Sequence, residues 1–294
     1  SSAASDVYKR QDLKLLTKEA GSHSIRIFPN LDGFIDSYSS IDVPTRHLLK
    51  EMSGKSISVI KETNKSQFEA YDWSYPKIIQ FQSTDGIISL DGIVTYPPNF
   101  KKGSRYPVIV HGYGMPGTQI VYNRWGSVWN QYLAQQGYIV FSMDSRGMSG
   151  RGEEFKNLSY GDMSKYLSKD TAAGVRYLVD IGVADPDRIG AWGWSGGGYF
   201  TGLMLTKNAD LFDVGVSVAP VMDFRLYDTI YTERSMGLPQ DNKAGYDSTS
   251  VLTYVDRFKG KLLVMHGTGD DNVHSQNMTS VSYTHLTLPT IYSV

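Results

Sequence analysis

Apolar and polar residues alternate in short runs from Leu13 to about Thr63, in SIRIFPNLDGF, FIDSYSSID and RHLLKEMSGKSISVI, with turn pairs at Asp32-Gly33 and Ser53-Gly54. A period of two between such turns predicts an antiparallel strand meander, of the kind found in the last part of a propeller blade. Residues 64–76 are polar and aromatic, and Ile78–Tyr96 then alternates around Asp85-Gly86 and Asp91-Gly92, which predicts a hairpin. The pattern changes after that point. Pro107–His111, Tyr138–Asp144, Arg188–Gly193, Val214–Pro220 and Lys261–Thr268 are nearly continuous apolar runs, the mark of buried parallel strands. Trp125–Gln136, Lys169–Ile181 and Gly197–Lys207 carry helical spacing between them. Strands separated by helices predict an α/β fold with a doubly wound sheet, whose ligands bind at the carboxyl ends of the strands. A boundary is expected near residue 70, with residues 12–70 forming one domain and residues 71–280 the other.

Composition narrows the function classes. Lys and Arg number 29 against 30 Asp and Glu in 294 residues, so bulk charge offers nothing to a polyanion and nucleic-acid binding on that ground is excluded. The absence of Cys removes disulfides, a thiolate nucleophile and thiolate metal sites, and it fits an oxidising or a reducing compartment equally. The two ends stand apart. SSAASDVYKRQ (Ser1–Gln11), back-translated with permitted codons and read as its reverse complement in a shifted frame, gives VSYTHLTLPT (Val281–Thr290). Related at the DNA level but not the protein level, residues 1–11 and 281–294 read as translated sequencing-adapter and are set aside from the fold.

The chemistry concentrates in Ile189–Tyr199, IGAWGWSGGGY, which places Gly193-x-Ser195-x-Gly197 after a predicted strand and before a predicted helix. That context is the one a nucleophile elbow requires: the sharp turn forces the serine backbone into strain, and the flanking glycines avoid collision of strand with helix. The blander alternative is a Gly-rich turn that only packs two elements or binds phosphate at the helix N-terminus. With the elbow, Ser195 Oγ is exposed and the Gly196 amide points toward an oxyanion. A serine hydroxyl needs a base and a group that orients the base. Asp270, just past the run KLLVMHGT, stands where an orienting acid belongs; the plain alternative for this acidic stretch is an Asx turn or a cation-binding loop. His274 follows Asp270 by four residues on the same loop, His285 lies in the adapter-like end, and His23, His47, His111 and His266 precede Asp270, against the order Ser, Asp, His. Each reads better as a structural histidine. The general base is therefore expected outside residues 12–280, and the 294-residue chain is expected to be essentially inactive by itself.

The stretches AWGWSGGGYF, VAPVMDFRLYDTIYTERSMGLP and LLVMHGTGDDNVHSQN closely resemble the dipeptidyl peptidase IV branch of the prolyl oligopeptidase family of serine peptidases. The resemblance extends over essentially all of residues 12–280. It implies an α/β-hydrolase domain with Ser195 as nucleophile and Asp270 as orienting acid, preceded by the end of a β-propeller. It implies that Tyr113, in HGYGMPGTQ, donates to the oxyanion beside Gly196, a role a phenol at a strand end can fill; a packing tyrosine is the alternative. It maps Val221, Tyr227, Tyr231 and Val273 onto the wall of an apolar pocket for proline, puts Phe224 where some relatives have Trp, and makes Asn272 a donor to the substrate backbone. Arg234 would pair with a propeller carboxylate that anchors the substrate amine. One departure is Gly196, where the family often has Tyr; the amide donor survives and one pocket wall is expected to be lost. No cofactor or metal is implied. The implied substrate is a peptide with a free N-terminus, cleaved to release Xaa-Pro or Xaa-Ala, by a homodimer that is periplasmic, secreted or anchored facing outward. The other readings are an acylaminoacyl peptidase or esterase of the same family, and a non-catalytic binding homologue.

Overall fold

The computed structural model describes residues 14–284; of the adapter-like ends, residues 1–11 and 285–294 lie outside them, whereas residues 281–284, set aside above, continue the last described helix. The described chain forms two compact units, residues 14–71 with Tyr122–Gly126, and residues 72–121 with 127–284. In the first, strands β1 (Ser22–Ile27), β2 (Gly33–Ser39), β3 (Arg46–Glu51) and β4 (Ser56–Glu62) make an antiparallel sheet in sequence order, followed by the single-turn helix α1 (Ser66–Glu69). Gly54, at φ +87°, makes the turn from β3 to β4, a conformation in which a Cβ would be strained. The inner strands bury Phe34, Tyr38 and Leu48. They also bury Asp36, whose charge is met by His23 Nδ1 at 2.9 Å and Lys50 Nζ at 3.0 Å.

The second unit contains β5 (Lys77–Gln82), β6 (Ser89–Thr95), β7 (Tyr106–His111), helix α2 (Val128–Gln135), β8 (Ile139–Met143), α3 (Glu153–Asn157), α4 (Leu167–Asp180), β9 (Ala184–Trp194), α5 (Gly196–Lys207), β10 (Val214–Val218), α6 (Thr229–Met236), α7 (Lys243–Thr249), β11 (Lys261–Met265) and α8 (Gln276–Thr284). The seven strands lie in the order β11-β10-β9-β7-β8-β6-β5. β5, β6 and β8 pair antiparallel, and the other pairs are parallel. This is the α/β-hydrolase sheet, with α4 and α5 packed on strands β5, β9 and β10. Helix α5 is buried on every side, as expected of a helix without an apolar stripe. Its glycines set the contact: a Cβ on Gly198 would lie 2.8 Å from the Val218 carbonyl, so only glycine lets the helix lie so close to β10.

Three sequence expectations are corrected here. Asp91-Gly92 is not a turn but the middle of β6, where a Cβ on Gly92 would stand 2.7 Å from the Phe141 ring; the hairpin turns once, at Gly86 with φ +68°. Helix α2 starts at Val128 rather than Trp125, because Tyr122–Gly126 belong to the first unit and Ser127 is extended. β10 and β11 are buried on one face only. Val214, Leu263, Met265 and Trp194 share the opposite face by register and are exposed; on that face α2 reaches Trp192 through Trp129.

A buried charge cluster fixes the segment after β8. Arg146, 4% exposed, bonds the fully buried Asp170 through Nη2 at 2.6 Å and Nε at 3.0 Å, its amide donates to the same carboxylate, and Nη1 reaches Asp85 at 2.6 Å. These bonds hold the guanidinium pKa above its ordinary value and the Asp85 carboxyl well below its own. Removing one partner of such a pair strands a buried charge, so Asp170→Ala should lower unfolding stability by roughly 3–5 kcal/mol in urea titration; a loss under about 1 kcal/mol would show the cluster to be effectively solvated.

Candidate active site

The serine turn follows directly from β9. Ser195 has φ +58° and ψ −115°, a strained conformation for a residue with a Cβ, and it is held there by its amide donating to the Val218 carbonyl at 2.8 Å and its own carbonyl receiving the Tyr199 amide at 3.0 Å. The flanking glycines are sterically required. A Cβ on Gly193 would meet three backbone atoms of Gly197 at 2.6 Å, and one on Gly197 would meet the Gly112 carbonyl at 2.6 Å. The first-turn amides of α5, that of Gly196 among them, have no acceptor within the helix.

Gly196 differs from its neighbours in what limits it. A Cβ there would meet the Met115 Cγ at 2.4 Å and the Tyr113 ring at 3.2 Å. The space into which a side chain at 196 would project is thus filled by Met115, buried in the core, and flanked by Tyr113. No sequence signal singled out Met115. A flexible side chain can move and a backbone cannot, so Gly196→Ala should destabilise the chain by less than Gly193→Ala, for which roughly 3 kcal/mol is expected. Thermal melts of the two variants decide this, and equal losses would contradict it.

The other candidates gather at the carboxyl ends of neighbouring strands. β9 pairs with β7 on one side and β10 on the other, and β10 pairs with β11. Tyr113 follows β7, Val221 follows β10, and Asp270 follows β11. Tyr199, Phe224, Tyr227 and Tyr231 form a run of edge-to-face rings, with centroids 4.9, 6.3 and 6.0 Å apart. Val221, Phe224 and Val273 are fully buried, while Tyr227 and Tyr231 are half-buried. Burial raises the Tyr231 phenol pKa well above its ordinary value, and the phenols of Tyr113 and Tyr227 beside it act in the same direction. Tyr231 donates to the Pro116 carbonyl at 3.1 Å, and Tyr227 to Asn272 Oδ1 at 3.3 Å.

Asp270 Oδ1 accepts the amides of Asn272 at 3.1 Å and Val273 at 2.9 Å, which leaves Oδ2 facing His266 Nε2 at 3.7 Å. His266 is itself bonded to the Val273 carbonyl at 2.7 Å. The remaining described histidines also have local partners. His23 bonds Asp36, His47 bonds Ser37, His111 stacks on Trp192, and His274 accepts the Gln276 amide at the start of α8. Among the described residues no imidazole is bonded to the Ser195 hydroxyl. Arg234 is exposed, lies 6.0 Å from the Tyr231 ring, forms no ion pair with a described carboxylate, and lines a polar cavity of about 510 Å³ with Pro116, Lys156, Tyr160 and Ser235.

Two residues absent from the sequence reading shape this site. Asn277, fully buried, accepts the amides of Met222 at 3.0 Å and Asp223 at 3.3 Å and donates to the carbonyls of Leu226 and His274, tying the segment of Phe224 to the loop of Asp270. Ala219 takes φ +43° although Pro220 follows it, where extended backbone is the norm. Nothing in the local sequence marks either.

A strained serine between a strand and a buried helix, at the carboxyl edge of this mixed sheet, defines an α/β-hydrolase. The chain belongs to the prolyl oligopeptidase family, whose family model matches residues 125–284. It is 34% identical over 276 residues to the dipeptidyl peptidase 4 of Trichophyton equinum, covering 91% of this chain and 36% of that protein. It is 32% identical over 244 residues to the prolyl endopeptidase FAP of Mus musculus, covering 82% and 32% respectively. The crystal structure of Porphyromonas gingivalis dipeptidyl peptidase 4 superposes with a TM-score of 0.87 at 32% identity, over 91% of this chain and 38% of that one. The chain spans about a third of the length of the curated relatives it matches.

Proposed function

We propose that this chain carries the serine site of a peptidase that releases N-terminal dipeptides with Pro or Ala in second position. The observation that carries this reading is Ser195 at φ +58° on the end of β9, with the Tyr113 ring against Gly196. In the proposed reaction Ser195 Oγ bonds to the scissile carbonyl carbon while its proton passes to a histidine imidazole oriented by Asp270. The described histidines are engaged elsewhere, so this base is a further one. The Gly196 amide and the Tyr113 hydroxyl donate to the oxyanion. The C–N bond breaks as the imidazolium protonates the leaving amine, and water then releases the acyl group by the same steps.

Val221, Tyr227, Tyr231 and Val273, with Phe224 behind them, form the proposed wall for the flat proline ring, and the edge-to-face rings supply the aromatic surface. Asn272, exposed beside Tyr227, is the proposed donor to the substrate backbone, and Arg234 the partner of a carboxylate that binds the substrate amine. Homologues named dipeptidyl peptidase 4 support this substrate class. The antiparallel meander of residues 14–71 is the proposed end of a propeller, the hydrolase domain is proposed to follow it to residue 280, and the assembled enzyme is proposed to be a homodimer.

The test uses the protein in a form extended to the length of its relatives, assayed on Gly-Pro p-nitroanilide and on its N-acetylated counterpart. Turnover of the free-amine substrate with none of the acetylated one is expected. Preference for the acetylated substrate would replace this reading with an acylaminoacyl peptidase.

A further inference from the structure

The loop from Gly112 to Val121 carries Tyr113 and is tied down along its length. At its start the Gly112 amide donates to the Trp192 carbonyl at 3.3 Å. Midway, Tyr231 bonds the Pro116 carbonyl at 3.1 Å and the Ser149 amide bonds the Thr118 carbonyl at 2.7 Å. At its far end stands Asp144, the first residue past β8 and 4% exposed. Its two oxygens take two consecutive amides, Oδ1 that of Ile120 at 2.8 Å and Oδ2 that of Val121 at 3.2 Å.

Burying a carboxylate is unfavourable unless both oxygens are matched, so this position needs a reason to be Asp. Two adjacent N–H groups facing a forked acceptor are that reason: no neutral side chain offers two acceptor oxygens with no donor. Asp144 is itself rigidly placed. Its amide bonds the Asp91 carbonyl at 3.1 Å, and two residues on begins the Arg146–Asp170 cluster. Burial pushes its carboxyl up to about 6; the two amides and Arg151 oppose this and Asp91 adds to it. It is ionised at the assay pH, about 8.

We propose that Asp144 is a positioning residue for the oxyanion site: by clamping the amides of Ile120 and Val121 it fixes the 112–121 loop and thereby the place of the Tyr113 hydroxyl. The inference rests on the reading of Tyr113 as oxyanion donor. A donor of this type works only if held at the place where the charge develops, and small displacements of such groups are felt in turnover.

The test is a double-mutant cycle at about pH 8 in the extended form. Asp144→Asn keeps one acceptor and sets an NH₂ against the other amide, so kcat should fall ten- to a hundredfold with KM little changed. Tyr113→Phe should lower kcat by roughly 10² to 10³. Introduced into Tyr113→Phe, Asp144→Asn should cause no further loss, because the group it positions is already gone. An equal loss in both backgrounds, a loss seen in KM instead, or kcat within twofold of wild type would overturn the role of Asp144. A Tyr113→Phe variant within threefold of wild type would instead remove Tyr113 from the site, and this inference with it. Thermal melting identifies a variant that fails to fold. In that event amide exchange in the unsubstituted protein decides: Ile120 and Val121 should be as protected as the β7 ladder, and rapid exchange there overturns the clamp.

Discussion

Ser195→Ala should abolish labelling by a fluorophosphonate probe and lower turnover by about 10⁶-fold in the form extended to the length of its relatives. The Oγ is the atom proposed to form the acyl bond, and nothing else in the turn can replace it. The competing serines are readily separated. Ser217 is fully buried and bonds the Gly198 carbonyl at 2.9 Å, so a probe cannot reach it, whereas Ser149 lines the cavity beside Arg234. Label located on Ser149 by mass spectrometry would overturn the elbow assignment. The same position carries a test of strain that needs no activity. Alanine retains the Cβ and so the strain at φ +58°, while glycine adopts that conformation freely. Ser195→Gly should therefore melt higher than Ser195→Ala, by about 1 kcal/mol of stability. Equal melting temperatures would mean that the turn stores no strain.

The elements that the chain's pattern announced are those whose burial is uniform along their length. β8 is buried at every residue, and β7 and the Ile189–Gly193 part of β9 are largely covered and read as continuous apolar runs; α4 shows its stripe; Ser195 announces itself because only glycine fits beside it. The misreadings share another cause. Gly92 looks like a turn residue, but its lack of a side chain serves the Phe141 ring, a contact formed across sequence positions 49 apart. The uncovered face of β10 and β11 was invisible for the same reason: an apolar run records a propensity for burial, and whether anything lies on that face is decided by distant chain. In the proposed site, Asp270 was named from its place after a strand, Tyr113 and the aromatic wall only through the family resemblance, and Met115, Asn277 and Asp144 not at all. Those three act through packing and through hydrogen bonds to backbone, which any neighbouring sequence can receive, so they leave no local signature.

Asp270→Asn should separate a catalytic acid from a turn-forming one. The carboxylate has two functions in view: Oδ1 receives the amides of Asn272 and Val273, and Oδ2 is left toward the interior. An asparagine preserves the first, since its carbonyl oxygen can accept both amides, and the stability of the chain should change by less than about 1 kcal/mol. It removes the second. Where a carboxylate holds a histidine in the tautomer that accepts the serine proton, an amide stabilises the wrong tautomer and leaves the imidazolium uncompensated, and turnover falls by about 10⁴. The expected result is thus a large drop in kcat with an unchanged melting temperature. Were Asp270 only an Asx-turn residue, activity would stay within tenfold of wild type, and the acid would have to be sought at Asp271, the exposed neighbour in the same loop. His266 provides the internal control. Its Nε2 lies 3.7 Å from Asp270 Oδ2 yet already bonds the Val273 carbonyl at 2.7 Å, so it is proposed to shape the loop and not to carry the proton. His266→Gln, which retains a donor for that carbonyl, should cost far less turnover than Asp270→Asn, and a loss of equal size would make His266 the base and reverse the assignment.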